Sequence, residues 1–173
     1  NNYTGSYRRT FELPADWKGK DVYFHVGSAT SNLTLWVNGK YVGYSEDSKV
    51  AAEFNISKYL KPGKNLIAMQ VMRWCDGSYF EDQDYWRFTG IAREVYLYAR
   101  PKLHAADVRL NAGLENNFKD GVLDYQISLQ GGKSDVSITL CDKDGKQIAQ
   151  ATGAKGTIKV PNVKPWTAET PNL

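Results

Sequence analysis

The sequence predicts an all-β protein made of antiparallel sandwiches, on three observations. Short segments that alternate apolar and polar residues recur along the 173 residues, which is the period of a half-buried strand. Turn dipeptides separate them: Asn38-Gly39, Pro62-Gly63, Gly131-Gly132 and Asp144-Gly145. A helical reading is confined to one turn, at residues 57–60.

The elements follow in order. Residues 6–13 (SYRRTFEL) alternate and form the first expected strand. Residues 14–19 are a turn, and residues 21–26 the second strand. Residues 33–37 and 41–44 flank Asn38-Gly39, a hairpin signal because both central positions of the tight turn need positive φ. Residues 52–56 are a short strand or lead into the single helical turn. Pro62-Gly63 reverses the chain, and residues 65–74 form a long, mostly apolar strand expected to be buried on both faces. Residues 91–98 alternate again. Beyond Pro101, strands are expected at residues 106–110, 121–129, 136–141, 147–151 and 157–160.

Aromatic residues divide the chain. Of the 22 Phe, Tyr and Trp, only Phe118, Tyr125 and Trp166 follow Pro101. Proline prevents a strand from simply continuing, so Arg100-Pro101 is the expected boundary between a domain at 1–100 and another at 101–173. Five strands fall short of the seven of an immunoglobulin-like sandwich. The last residues, WTAETPNL, carry no strand or cap, so the second domain is expected to be truncated.

Composition excludes several function classes. Apolar residues make up 42% and charged residues 24%, as in ordinary globular proteins. The net charge of +3 is small and both signs are interspersed, which argues against nucleic acid as a partner. No apolar run approaches a membrane span, so no membrane partner is expected. Cys75 and Cys141 are too few for a disulfide scaffold or a zinc site and are read as free thiols. His25 and His104 lie far apart, and His25 is read as a strand residue.

One stretch breaks the grammar. Residues 73–95 (RWCDGSYFEDQDYWRFTGIAREV) hold two Trp, two Tyr, two Phe, five carboxylates and three Arg, with no sustained period. A long polar-aromatic loop in a compact domain is uncommon unless functional. Asp76-Gly77 marks where the chain leaves the sheet. Glu81, Asp82 and Asp84 need compensation if partly buried, with Arg73, Arg87 and Arg93 as the nearest cations. Trp86 and Phe88 are expected to anchor the loop by packing.

Residues 76–95 (DGSYFEDQDYWRFTGIAREV) closely resemble the N-terminal region of bacterial β-galactosidases of glycoside hydrolase family 2. NYTGSYRRTF at 2–11, WVNGKYVGYSEDS at 36–48 and PWTAETPNL at 165–173 agree, in the same order along the chain. The resemblance implies a jelly-roll, galactose-binding-like sandwich followed by an immunoglobulin-like one. It also implies a TIM barrel, elsewhere in the parent protein, that carries retaining hydrolysis of terminal β-D-galactosides. Retention needs two carboxylates about 5 Å apart. In the family both are barrel glutamates, the acid/base following an Asn. This chain has no Asn-Glu pair and no His-Tyr-Pro signature, so no catalytic residue is assigned and the chain alone is expected to be inactive.

The resemblance assigns two site residues. Asp76 stands where the family's Asp contacts galactose and helps hold sodium, and Asn2 where its Asn contacts the sugar. A carboxylate accepts bonds from sugar hydroxyls, and hard cations prefer oxygen. The competing reading of Asp76 is a plain turn residue before Gly77, and that of Asn2 a chain-end residue. Magnesium, if used, would belong to the barrel. The implied partners are a β-galactoside, the barrel of the same chain and, for the parent, further copies of itself. The compartment stays open between bacterial cytoplasm and periplasm. Glu81, Asp82 and Asp84 are read as structural or interface residues. Trp36, Tyr41 and Tyr44 are read as packing residues rather than a sugar platform, and Trp166 as an inter-domain anchor. Two rivals remain: a free-standing carbohydrate-binding module, and the same region of a β-glucuronidase or β-mannosidase.

Overall fold

The computed structural model describes residues 1–84 and 86–172 and is all-β, in two compact units, Asn1–Pro101 and Lys102–Leu173. Tyr85, one of the loop aromatics, lies outside the described residues. The first unit contains β1 (Thr4–Phe11), β2 (Asp21–Val26), β3 (Ala29–Thr30), β4 (Asn32–Val37), β5 (Lys40–Glu46), β6 (Ala52–Asn55), β7 (Asn65–Met72), β8 (Gly90–Ile91) and β9 (Val95–Arg100). A four-stranded sheet runs β1-β7-β4-β5 and a three-stranded sheet β6-β2-β9, with β3-β8 as a short pair.

Every pairing is antiparallel, and register explains the core. Partners across a ladder share a face. Phe24 stands opposite Phe54 and Leu97, and Leu35 opposite Met69. The inward faces of the two sheets meet in one cluster that includes Val22, Phe24, Val26, Leu33, Leu35, Val37, Ile67, Met69 and Val71. Each fully buried Leu, Ile, Val or Phe contributes about 1.5–3 kcal/mol.

The expected elements form with shifted ends. Asp21–Val26 is matched residue for residue, and the helical turn is a 3-10 turn at Ser57–Tyr59. Asn38 and Gly39 take φ of 51° and 77°, as the hairpin requires. Three expectations need correction. β7 is not buried on both faces: its residues alternate between buried and half-buried. Its outward positions Leu66, Ala68, Gln70 and Met72 mix apolar and polar character, so composition alone hid the period. The expected strand at 91–98 is two strands, because the chain bends at Ala92–Glu94 and Gly90 takes a φ of 103°. Two further one-turn helices, Ala15–Trp17 and Gly77–Phe80, fill what read as loops.

A partly buried amide pair joins the hairpin to the start of β7. Asn38 Nδ2 donates to Asn65 Oδ1 at 2.8 Å and to the Tyr59 carbonyl at 2.9 Å, while Asn38 Oδ1 accepts from Leu66 N at 3.0 Å. Asn65 also bonds the backbone of Lys61 and Gly63. Asn38 is structural, as expected.

The second unit contains β10 (His104–Glu115), β11 (Asp120–Gln130), β12 (Ser137–Cys141), β13 (Gln147–Thr152) and β14 (Lys155–Val160). They form a β10-β11-β14 sheet and a β12-β13 pair. Tyr125 and Ile158 are buried, whereas Val108, Leu110 and Leu114 on β10 remain exposed. Trp166, expected as an anchor, is exposed. Both cysteines are free. No described helix is long and apolar enough to cross a membrane.

On the outer face of the three-stranded sheet, His25 Nδ1 and Glu53 Oε1 lie 2.8 Å apart, and the His25 ring stacks on Tyr96. The bond to His25 holds the Glu53 carboxyl below its ordinary value, against a smaller opposing effect of burial. A carboxyl lowered on folding adds stability at neutral pH that is lost as pH falls through its folded pKa. Glu53 is exposed, so screening keeps the contribution below about 1 kcal/mol. Glu53→Gln is expected to lower the thermal midpoint slightly at neutral pH, with the deficit closing in acid. A deficit that persists unchanged below the glutamate range would show that the charge is not its cause.

Candidate functional site

The site is built where β7 ends. Ser31 and Asn32, both buried, hold Met72: Ser31 Oγ donates to its carbonyl at 3.1 Å, and its N–H donates to Asn32 Oδ1 at 3.1 Å. Arg73 N donates to the Tyr3 carbonyl at 2.8 Å, which carries the β1–β7 pairing one step further. Asn2 supplies the next step with its side chain. Its Oδ1 accepts from Trp74 N and its Nδ2 donates to the Trp74 carbonyl, both at 2.9 Å. The amide thus imitates a paired backbone residue. One N–H and one lone pair of it stay available. Asn2 borders an open concavity of about 480 Å³, with Trp74, Ser78, Tyr79, Asp82 and Arg87 among its other walls.

Asp76 follows at once, at the N-terminal edge of the Gly77–Phe80 turn. Its backbone is already helical and its carboxylate makes no cap bond. Within the turn, Ser78 Oγ accepts from Cys75 N at 3.1 Å. The Asp76 carboxylate is exposed and lies with Glu46 and Cys75, their ligand atoms all within 4.8 Å of one another. Gly77 brings the loop against β5: a Cβ there would stand 3.1 Å from Glu46 Oε2. Tyr44 Oη donates to Glu46 Oε1. Burial and the Glu46 carboxylate push the Tyr44 phenol well above its ordinary value, so it remains a donor across the working pH range.

The structure therefore bonds Asn2 to Trp74, two residues before Asp76, but Asn2 borders the concavity and Asp76 does not line it. It adds Glu46 and Tyr44, which sequence reasoning missed as site residues. Their spacing of two on one strand puts both on one face, but only the fold of the loop puts that face beside Asp76.

The acidic run is partly structural. The Glu81 carboxylate accepts from Ser48 N at 2.7 Å and from Ser48 Oγ, and Ser28 Oγ donates to the Ser48 carbonyl at 2.6 Å. Asp82 pairs with Arg87. Among the described residues, the other two arginines take different roles from those expected. Arg93 Nη1 donates to the Lys49 carbonyl at 2.9 Å, and Arg73 lies 5.1 Å over the Trp74 ring, which Arg87 also approaches. Trp86 and Phe88 do not anchor the loop by burial. They stack on each other and are 81% and 71% exposed, beside Tyr79 at 86% and Phe80 at 90%. Trp36 packs edge-on against Tyr41, partly exposed on the outer face of the four-stranded sheet.

Residues 1–101 match the model for the sugar binding domain of glycosyl hydrolases family 2. The chain belongs to that family. It is 38% identical over 191 residues to a β-galactosidase of Priestia megaterium, covering 99% of this family 2 chain and 18% of the relative. A β-galactosidase of Clostridium acetobutylicum is 36% identical over 179 residues, covering 99% and 20%. One of Pectobacterium atrosepticum is 45% identical over 131 residues, covering 73% and 12%. The chain thus spans at most about a fifth of these curated relatives. Among solved structures, a β-glucuronidase from Ruminococcus gnavus superposes with a TM-score of 0.83 at 22% identity, covering 97% of this chain and 31% of that one. That likeness shows the shared fold.

Glu81→Ala would leave the buried Ser48 N–H and hydroxyl without their acceptor. It is expected to cost about 1–3 kcal/mol in a denaturant titration. It should also speed proteolytic cleavage within residues 76–88. Unchanged unfolding and cleavage would show that the Glu81–Ser48 bonds do not hold the loop.

Proposed function

We propose that this chain is the non-catalytic N-terminal part of a family 2 β-galactosidase, a retaining hydrolase of terminal β-D-galactosides. It shapes one wall of an active site whose acid/base and nucleophile lie on another domain of the parent. The observation that carries this reading is 36–45% identity to β-galactosidases, over nearly the whole chain in two of the three relatives above. The rival glucuronidase reading has only the 22% likeness, which speaks for fold. A self-sufficient binding module fits poorly with curated relatives about five times as long.

In this reading Asp76 and Asn2 touch the sugar. The Asp76 carboxylate, free of capping duty, accepts bonds from galactose hydroxyls. The free half of the Asn2 amide donates and accepts at the mouth of the concavity. Sodium is the cation the family implies. The donor set suits a hard ion in part: Asp76 and Glu46 offer carboxylate oxygens, while the Cys75 thiol is too soft to help. Asp76, with Glu46 behind it, would hold the ion, which supplies positive charge to orient sugar oxygens. Tyr44 steadies Glu46 as a neutral donor.

Asp76→Ala in the full-length enzyme is expected to lower kcat/KM by about a hundredfold, the loss of one or two bonds to a charged group. The response to sodium should disappear with it, while the melting curve stays close to wild type. Normal efficiency with a normal sodium response would leave Asp76 a turn residue. The 173-residue chain alone is expected to show no hydrolysis of a chromogenic β-galactoside. Turnover that survives purification and vanishes on Asp82→Asn would put the chemistry on this chain instead.

A further inference from the structure

Glu46, Cys75 and Asp76 bring hard and soft donors together: two carboxylate oxygens and a thiol sulfur, all within 4.8 Å of one another. Gly77 makes room beside them. A Cβ there would stand 3.1 Å from Glu46 Oε2 and 3.5 Å from Cys75 Sγ, so an oxygen and the sulfur flank one small cradle that the missing side chain leaves open. Tyr44 Oη donates to the other oxygen of Glu46, Oε1, which leaves Oε2 to face the cradle. An outer partner orients a metal ligand in the same way. Cys75 is held by its own turn: its N–H donates to Ser78 Oγ at 3.1 Å, and its Sγ lies 3.7 Å from the Ser31 carbonyl oxygen. Glu46 and Cys75 are half-buried and Asp76 is exposed, so water reaches the group.

We propose that Glu46, Cys75 and Asp76 form a site for a thiophilic divalent cation of the zinc class. The chain's two cysteines are too few for a site built of thiolates, but the fold gives one of them two carboxylates. Cys141 joins no such group among the described residues. Zinc takes sulfur at about 2.3 Å and carboxylate oxygen at about 2.0–2.2 Å in a tetrahedron, so its ligands stand about 3–4 Å apart. Atoms already within 4.8 Å need a closure of only about 1 Å to reach that spacing. Asp76 makes no capping bond that such a shift would break. The protein fills three positions on the ion and water the fourth. On binding, the Cys75 thiol gives its proton to solvent and coordinates as thiolate. The same set disfavours calcium and magnesium, which need about six oxygen ligands and gain little from sulfur. A zinc-class ion here takes Asp76 away from galactose and so inhibits the parent enzyme, a consequence that rests on the role given to Asp76 above. Sodium, held by the two carboxylates alone, competes with it weakly.

The test uses the full-length enzyme, freed of bound metal and titrated with cadmium, whose bond to a thiolate gives an ultraviolet charge-transfer band. The expected result is a component of that band, one cadmium per chain, that Cys75→Ser removes and that needs about tenfold more cadmium in Glu46→Gln. Zinc should displace the cadmium and collapse this component. In a separate assay at fixed sodium, zinc should inhibit hydrolysis of a chromogenic β-galactoside at about tenfold lower concentration in the wild type than in Cys75→Ser. The two enzymes should be equally active without zinc. No band, a band unchanged by Cys75→Ser, or a Glu46→Gln enzyme that binds cadmium as the wild type does would overturn the site. A band that depends on Cys75 and Glu46, with equal zinc inhibition of wild type and Cys75→Ser, would uphold the site and remove Asp76 from the sugar, so the two failures are told apart.

Discussion

The bond between Glu81 and Ser48 is the constraint on which the functional end of the first unit depends. Ser48 is 1% exposed, and its N–H and hydroxyl both give to one carboxylate from a residue 33 positions later. A buried N–H without an acceptor is costly, so the loop must return to this point for the core to close. The other end of the loop is pinned at Met72 by Ser31 and Asn32. Asp76 sits on the short span between these two anchors. Its position therefore follows from the packing of β3, β4 and the segment after β5, more than from its own neighbours.

The same economy shows in Asn2. An amide side chain replaces a backbone pair at Trp74 and extends the β1–β7 ladder beyond its last strand residue. That bond fixes the segment before β1 against the segment before Asp76, and so couples the two candidate sugar-binding residues mechanically. The Glu46–Asp76 approach runs the other way. Two carboxylates drawn close repel one another, and the Tyr44 hydroxyl donates to one of them, Glu46.

What lies outside this tightly bonded frame is apolar and open. Tyr79, Phe80, Trp86 and Phe88 are exposed along one loop, with Trp86 stacked on Phe88. Large exposed apolar patches mark interaction sites. Four exposed aromatic residues in one loop fit a unit that forms a small share of a longer polypeptide.

The sequence by itself determined most of the strands, the Asn38-Gly39 hairpin, the family and the loop that matters. These rest on short-range signals: a period of two, a pair of positive φ angles, and a run of residues specific enough to recognise. It also marked Asp76 and Asn2, though only through resemblance. The tertiary structure alone decided the rest. That Glu81 serves Ser48 while Asp82 serves Arg87 depends on which groups long-range folding brings within bonding distance, and the two residues are adjacent and chemically alike. Glu46 joins Asp76 because the register of β5 against β4 meets a helical turn from elsewhere in the chain. Trp86 and Phe88 read as anchors because aromatic residues are usually buried, and nothing in their spacing says which surface they lack. Proximity across sheets leaves no local trace in composition, and that is why it had to be seen in the fold.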